Sequence, residues 1–306
     1  MAPPVGVIGL GLMGGTLASH LLERGPVVGF DPVAARRAEH EGRGGTTESS
    51  AAAVARACEA AILSLPNGEI MRSVCREIAG AEVAPLLVID TTTVDPDESI
   101  EAAGVLAESG IGFVDATISG NAAQAESKDI IFMIGGEPDD VARALDVLAP
   151  LGRGVYPVGG VGTGSRMKLV VNHVLSINRA AVAEGLAVAE KAGIDLDAAI
   201  EILRDSAAYS KAMDIWGDRM VDGDHWPPSS RVHQSHKDSR LINAHAGRLE
   251  ASSELAQVVR AALVEAEEGG LADADNSSVM EVMRRRAGIG RFSTTEAAAR
   301  GDSAGE

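Results

Sequence analysis

The sequence predicts an α/β fold, a doubly wound sheet followed by an all-helical region, on three observations. Up to about residue 158, short apolar runs alternate with helix-length amphipathic stretches, the pattern of a largely parallel sheet covered on both faces. Beyond Gly164, and as far as about Arg286, only helical periodicity remains. The segment Gly9-Leu10-Gly11-Leu12-Met13-Gly14 joins the first apolar run to the first helical stretch.

The apolar runs predict strands at 5–8, 27–30, 61–64, 86–89, 113–116, 130–134 and 155–158, with helices between most of them, such as 13–23 and 96–108. From 167 to 191, Leu169, Val170, Val174, Ile177, Ala181, Leu186 and Val188 recur without a proline. That is a long helix, apolar over much of its circumference and therefore expected to be largely buried. Further helices are predicted at 196–203 and 255–267. Two domains follow, a sheet domain over 1–160 and an all-helical substrate and oligomerisation domain over 161–290, with a flexible tail over 291–306 that is poor in large apolar residues. The long helix links the domains. No internal repeat is visible.

A chain of 306 residues fits two domains of ordinary size. Only 3% of residues are aromatic, so Ala, Val, Leu and Ile must fill the core. The net charge of −17 disfavours nucleic acid and anionic membranes as partners. Cys58 and Cys75 lie in helical stretches and have neither metal-ligand spacing nor the number for a disulfide framework. They read as buried thiols in a reducing, cytoplasmic setting. The N-terminus lacks the basic region of a signal peptide, and no membrane span is expected.

The glycine loop carries the first functional signal. Gly9, Gly11 and Gly14 form G-x-G-x-x-G between a strand and a helix, and a second strand ends in Asp31, 17 residues after Gly14. This is the fingerprint of a Rossmann-type dinucleotide site. Gly9 permits the turn, Gly11 lets a pyrophosphate approach the backbone, and Gly14 lets the helix sit close to the strand. The helix N-terminus presents free N–H groups and partial positive charge to phosphates. Asp31 can accept hydrogen bonds from both adenosine ribose hydroxyls and would repel a 2′-phosphate. NAD is therefore expected in preference to NADP, with Arg36 and Arg37 as the counter-signal.

Lys168 and Asn172 lie four residues apart near the start of the long helix, on one face, among Leu169, Val170 and Val171. Burial and the positive helix end both lower a lysine's proton affinity, as a general acid/base near neutral pH requires. On the residues alone, a lysine whose stem runs to a solvated rim, as most helix lysines do, is the more usual reading. Elsewhere, Asp214, Asp218, Asp222, Asp224 and His225 look like a solvated helix end, and His233 and His236 lack a third metal ligand; no metal site is expected. Trp216 and Trp226 read as packing residues, one of which could wall a cleft.

Taken together, GVIGLGLMGG, Leu65-Pro66-Asn67, Asp90-Thr91-Thr92-Thr93, Asp115-Ala116-Thr117-Ile118-Ser119-Gly120, Gly162…Lys168…Asn172 and Lys237-Asp238 resemble the β-hydroxyacid dehydrogenase family, over about residues 4–285. The resemblance implies a nicotinamide-dependent dehydrogenase of small β-hydroxy acids, with Lys168 as general acid/base and Asn172 beside it. It implies that Ser119, Gly120 and the adjoining Asn121 hold a substrate carboxylate. Leu65, Pro66 and Thr93 would flank the cofactor, and Lys237 would close the site from the helical domain against substrate and cofactor. It also implies a homodimer or homotetramer. The chain departs from the family at Asn121, where a second glycine is usual, with Gln124 nearby. It departs again at Ser127-Lys128 and through 229–236, where an aromatic before Lys-Asp is usual. These changes suggest a hydrophilic substrate. Imine reduction with NADPH and a non-catalytic nicotinamide sensor are the competing readings; Lys168 argues against the first, and the Lys168/Asn172 pair against the second.

Overall fold

The computed structural model describes residues 3–81 and 86–290. The predicted tail over 291–306 lies outside the described residues. The chain divides into two compact units between Leu169 and Val170.

In the first unit, one sheet contains β1 (Val5–Ile8), β2 (Val27–Phe30), β3 (Thr46–Thr47), β4 (Ala60–Leu63), β5 (Leu87–Asp90), β6 (Gly112–Ser119), β7 (Ile131–Gly136) and β8 (Gly154–Gly159). Their spatial order is β3-β2-β1-β4-β5-β6-β7-β8. All neighbours are parallel except β6 and β7. The seven predicted strands are present, with ends displaced by a residue or two and β6 extended to Ser119. β3 escaped prediction because two threonines carry no periodicity. The strand order reverses between β1 and β4, which opens a crevice at their C-terminal ends, where such sheets bind ligands.

The helices of this unit are α1 (Leu12–Leu22), α2 (Ala34–Gly42), α3 (Ala51–Ala57), α4 (Gly68–Ala79), α5 (Pro96–Ala107), α6 (Ala122–Glu126) and α7 (Pro138–Leu148). Strand residues alternate between two apolar clusters. Val7, Ile62, Ile89, Val114 and Ala116 pack with Leu17 and Leu21 of α1 and Ala144 and Leu148 of α7. Ile8, Ala61, Leu63, Val88 and Phe113 pack with Val54 of α3, Met71 and Ile78 of α4 and Leu106 of α5. Burial on both faces explains why the strands read as unbroken apolar runs. Cys58 and Cys75 are buried in the second cluster, and burial pushes the Cys58 thiol up to about 12 and the Cys75 thiol well above the ordinary range, so neither is a nucleophile. Cys58 lies one residue past α3 rather than within a helix.

Helix α8 (Thr163–Lys191) starts four residues earlier than predicted, and α9 (Leu196–Asp205), α10 (Lys211–Asp222), α11 (Val232–Arg248), α12 (Glu254–Glu268) and α13 (Val279–Arg286) follow. The core of the second unit takes Val182, Ala183, Leu186 and Ala187 from α8, with Trp216, Val259, Leu263 and Met280. The expectation that α8 is largely buried is corrected. Val170, Val174 and Val188 are 51%, 52% and 64% exposed, because a single chain covers only part of the helix's apolar circumference. His225 is also unlike its expected solvated setting. It is buried, between Ser277 Oγ at 2.8 Å and Glu281 Oε1 at 3.3 Å.

Two carboxylates sit inside the sheet. Asp90 and Asp115 are register partners on β5 and β6, and both are fully buried. Asp90 Oδ1 accepts the Thr92 N–H at 3.1 Å, while Oδ2 has no hydrogen-bond partner. Burial pushes Asp90 up to about 7, and the Asp115 charge adds to the effect. A carboxyl raised on folding contributes stability at low pH that is lost as pH rises from about 4 through 7. Asp90→Asn keeps the acceptor for Thr92 and removes the charge. Its melting temperature should exceed wild type by several degrees at pH 8 and by much less at pH 5. An equal difference at both pH values would show that Asp90 does not titrate in this window.

Candidate active site

The glycine loop occupies the crevice end of β1. Gly9 has φ +94°, and a Cβ there would lie 2.2 Å from Ser64 O, so the loop turns directly against the end of β4. A Cβ on Gly14 would lie 1.9 Å from Gly9 O. Gly11 differs, since its nearest neighbour would be the Arg36 guanidinium at 3.7 Å. The open space over Gly11 and the uncapped N-terminus of α1 are the features a pyrophosphate requires. Leu10 is buried, Met13 is half-buried, and Leu12 is 84% exposed. A cavity of about 230 Å³ beside the loop is lined by Leu10, Gly11, Leu12, Arg36, His40 and Arg43, among others. A nicotinamide dinucleotide fits this donor set.

Asp31 is 2% exposed. Its Oδ1 accepts the Val33 N–H at 2.8 Å, and its Oδ2 accepts the Leu10 N–H at 2.9 Å and Arg36 Nη1 at 3.3 Å. The acid therefore braces the glycine loop. Of the two arginines noted from sequence, Arg36 faces the loop. Arg37 donates instead to the backbone carbonyls of Asp31 and Pro32.

The loops after β4, β5 and β6 line the same sheet edge. The Leu65 N–H donates to Thr92 Oγ1 at 3.2 Å, which ties the Leu65-Pro66 loop to the loop carrying Thr93. Pro66 is exposed and Thr93 half-buried. β6 ends in Ser119, followed by Gly120 at φ +142°, where a Cβ would lie 2.5 Å from Ile130 Cγ2. Asn121 caps α6. Its Oδ1 accepts the Gln124 N–H, and Gln124 Oε1 accepts the Asn121 N–H in return. The carbonyl ends of both polar side chains are thus committed to the cap, which leaves the Asn121 amide donors for a ligand.

Lys168 is half-buried, and its Nζ donates to Ile118 O at 2.6 Å, one residue before Ser119. Its stem does not run to a solvated rim: the ammonium lies at the end of the strand that leads into the Ser119-Gly120 loop. In the second unit, Asn172 Nδ2 donates to Asp238 Oδ2 at 3.0 Å, and Lys237 Nζ lies 3.5 Å from Asp238 Oδ1. Asp238 thus holds both Asn172 and Lys237, a role the sequence reading did not give it. His233 and His236 bond to Ala272 O and Glu267. Trp216 is buried beneath the Arg179 guanidinium, 5.0 Å from the ring centre.

Residues 4–160 match the family profile described as the NAD binding domain of 6-phosphogluconate dehydrogenase. Residues 162–283 match that described as NAD-binding of NADP-dependent 3-hydroxyisobutyrate dehydrogenase. The chain is 30% identical to 2-(hydroxymethyl)glutarate dehydrogenase of Eubacterium barkeri, over 93% of this chain and 96% of that protein. It is 27% identical to 3-sulfolactaldehyde reductase of Escherichia coli, over 93% and 97% respectively. The structure of Mycobacterium tuberculosis 3-hydroxyisobutyrate dehydrogenase with L-serine superposes with a TM-score of 0.85 at 25% identity, covering 93% of this chain and 100% of that one.

The three loop glycines make separable demands. Gly14→Ala should lower the melting temperature of the cofactor-free protein, by overpacking worth about 1–3 kcal/mol. Gly11→Ala should leave it within about a degree, given the weak preference at a helix cap, yet weaken NADH binding at least tenfold by fluorescence titration. Unchanged NADH affinity in Gly11→Ala would remove the pyrophosphate from this position. With that loop, the Lys168 helix and both profile matches on the same chain, the protein belongs to the β-hydroxyacid dehydrogenase family.

Proposed function

We propose that the protein transfers hydride between NAD and a small, polar β-hydroxy acid or its semialdehyde. The observation that carries this is the Lys168 ammonium, held at the end of β6 next to Ser119 and Gly120. The bound nicotinamide supplies the hydride acceptor or donor. Lys168 takes the hydroxyl proton during oxidation and returns it to the forming alkoxide during reduction. The Ser119 hydroxyl, the backbone N–H of Gly120 and the Asn121 side-chain amide bind the substrate's acid group. Asn172 orients the reacting hydroxyl, and Lys237 contributes a second cation toward substrate and cofactor.

The relatives support a small acidic substrate in name, and the Asn121 amide supports a hydrophilic one. Lys168 remains the argument against imine reduction. Asp31 supports NAD, while Arg36 is the group a 2′-phosphate would use. Exposed Val170, Val174 and Val188 on α8 support a homodimer or homotetramer, which light scattering on the purified protein would distinguish from a monomer. Among the described residues no helix is long and apolar enough to cross a membrane. The two buried free cysteines support a cytoplasmic, reducing location.

A panel of 3-hydroxyisobutyrate, glycerate, threonate, serine and sulfonate analogues, each with NAD and NADP, identifies the substrate. On the best of these, Lys168→Ala should lower kcat by about 10²- to 10⁴-fold, with NADH affinity retained. Turnover near wild type would end the general acid/base assignment. Asp31→Asn should shift the ratio of kcat/KM values toward NADP, and an unmoved ratio would remove Asp31 from cofactor selection.

A further inference from the structure

The first turn of α8 has an unusual termination. Its N-cap position is Gly162, at φ +86°, which has no side chain to accept a hydrogen bond from the turn. Helix starts ordinarily satisfy these N–H groups locally with Ser, Thr, Asp or Asn. Here the acceptor comes from the sheet. Asp115 Oδ1 accepts the Gly162 N–H at 2.8 Å, and Asp115 Oδ2 accepts the Ser165 N–H at 2.6 Å, from 47 and 50 residues away in sequence.

Neighbouring groups hold the same turn. Thr117 Oγ1, two residues further along β6, donates to Gly164 O at 2.8 Å. Ser165 Oγ and Ser99 Oγ of α5 are 2.9 Å apart. A Cβ on Gly164 would lie 2.4 Å from Asp115 O, so the helix start is seated directly on the strand. Three residues beyond the Ser165 contact, Lys168 reaches Ile118 O, again on β6.

We propose that Asp115 is a positioning residue for hydride transfer: by holding the Gly162 and Ser165 N–H groups it fixes the start of α8 on β6 and thereby the place of the Lys168 ammonium relative to the Ser119-Gly120 loop. The proposal rests on the reading of Lys168 as general acid/base. Asp115 touches neither substrate nor cofactor and acts through the helix. Misplacing a catalytic group by about 1 Å costs on the order of 100-fold in rate.

The test is a double-mutant cycle on the full-length protein, oxidising 3-hydroxyisobutyrate with NAD. Asp115→Asn leaves one acceptor for two N–H groups and turns a donor toward the other. It should lower kcat by about 10- to 100-fold, with KM and NADH affinity within about threefold and with faster hydrogen exchange at Ser165. In a Lys168→Ala background it should cause no further loss of kcat, because the group it positions is gone. Thr117→Val, which removes only the hydroxyl bonded to Gly164 O, should show a smaller loss with the same non-additivity, and it carries the test if Asp115→Asn does not fold. Full kcat in the folded single variants, or the same fold loss with and without Lys168, would overturn the positioning role while leaving Lys168 intact. Wild-type turnover in Lys168→Ala would instead sink the Lys168 reading, and this proposal with it.

Discussion

The seating of α8 on β6 is the constraint on which the first unit's functional edge depends. One strand provides a carboxylate for the helix's first N–H groups, a hydroxyl for its first-turn carbonyl, a carbonyl for the Lys168 ammonium, and then the Ser119-Gly120 turn. A helix start fixed by four hydrogen bonds to three residues of one strand leaves Lys168 little freedom in register or rotation. The cost is a buried carboxylate. Burial pushes Asp115 up to about 6 even though two backbone N–H groups favour its charge, so at neutral pH it is mainly ionised and accepts both. The negative charge also faces the positive end of a 29-residue helix, where an anion is favoured.

The crevice end of β1 uses a carboxylate in a related way. Asp31 ends a strand, is almost fully buried, and takes backbone N–H groups from Leu10 and Val33. One of its acceptors therefore holds the glycine loop in shape before any ribose arrives. Arg36 is half exposed, so its ion pair with Asp31 contributes little stability through solvent-screened charge alone. Its position above Gly11 matters more, because it places a cation beside the phosphate path. Asp31 and Arg36, opposite in charge, thus cooperate in the structure of the loop.

Much of this was legible in the sequence, and the reason is periodicity. Strands buried on both faces read as apolar runs, and the glycine loop announces itself because close approaches exclude a side chain at Gly9 and Gly14 and the fingerprint adds Gly11 between them. The start of α8 was read four residues late for a physical reason. Gly162 and Gly164 weaken helix propensity, and no capping side chain precedes them. Gly164 is there because the strand comes so near, and Gly162 because its φ of +86° disfavours a side chain. Two signals could have revealed the missing cap: a carboxylate inside an apolar run, Phe113-Val114-Asp115-Ala116, and a long helix without a local cap. Each implies an absent partner, and they are partners to each other. The exposure of Val170, Val174 and Val188 was not legible, because an apolar circumference does not say which chain covers it.

Asn172 and Asp238 show the same logic within the second unit. An asparagine amide can turn either way, and its donor end acts on a ligand only if something fixes it. Asp238 accepts from Asn172 Nδ2, which fixes the way that amide is turned. Asp238 also lies 3.5 Å from the Lys237 ammonium, so one carboxylate fixes both the direction of the amide and the position of the cation. Lys168 in the first unit, and Asn172 and Lys237 in the second, are each held by an acceptor of their own unit, Ile118 O and the Asp238 carboxylate.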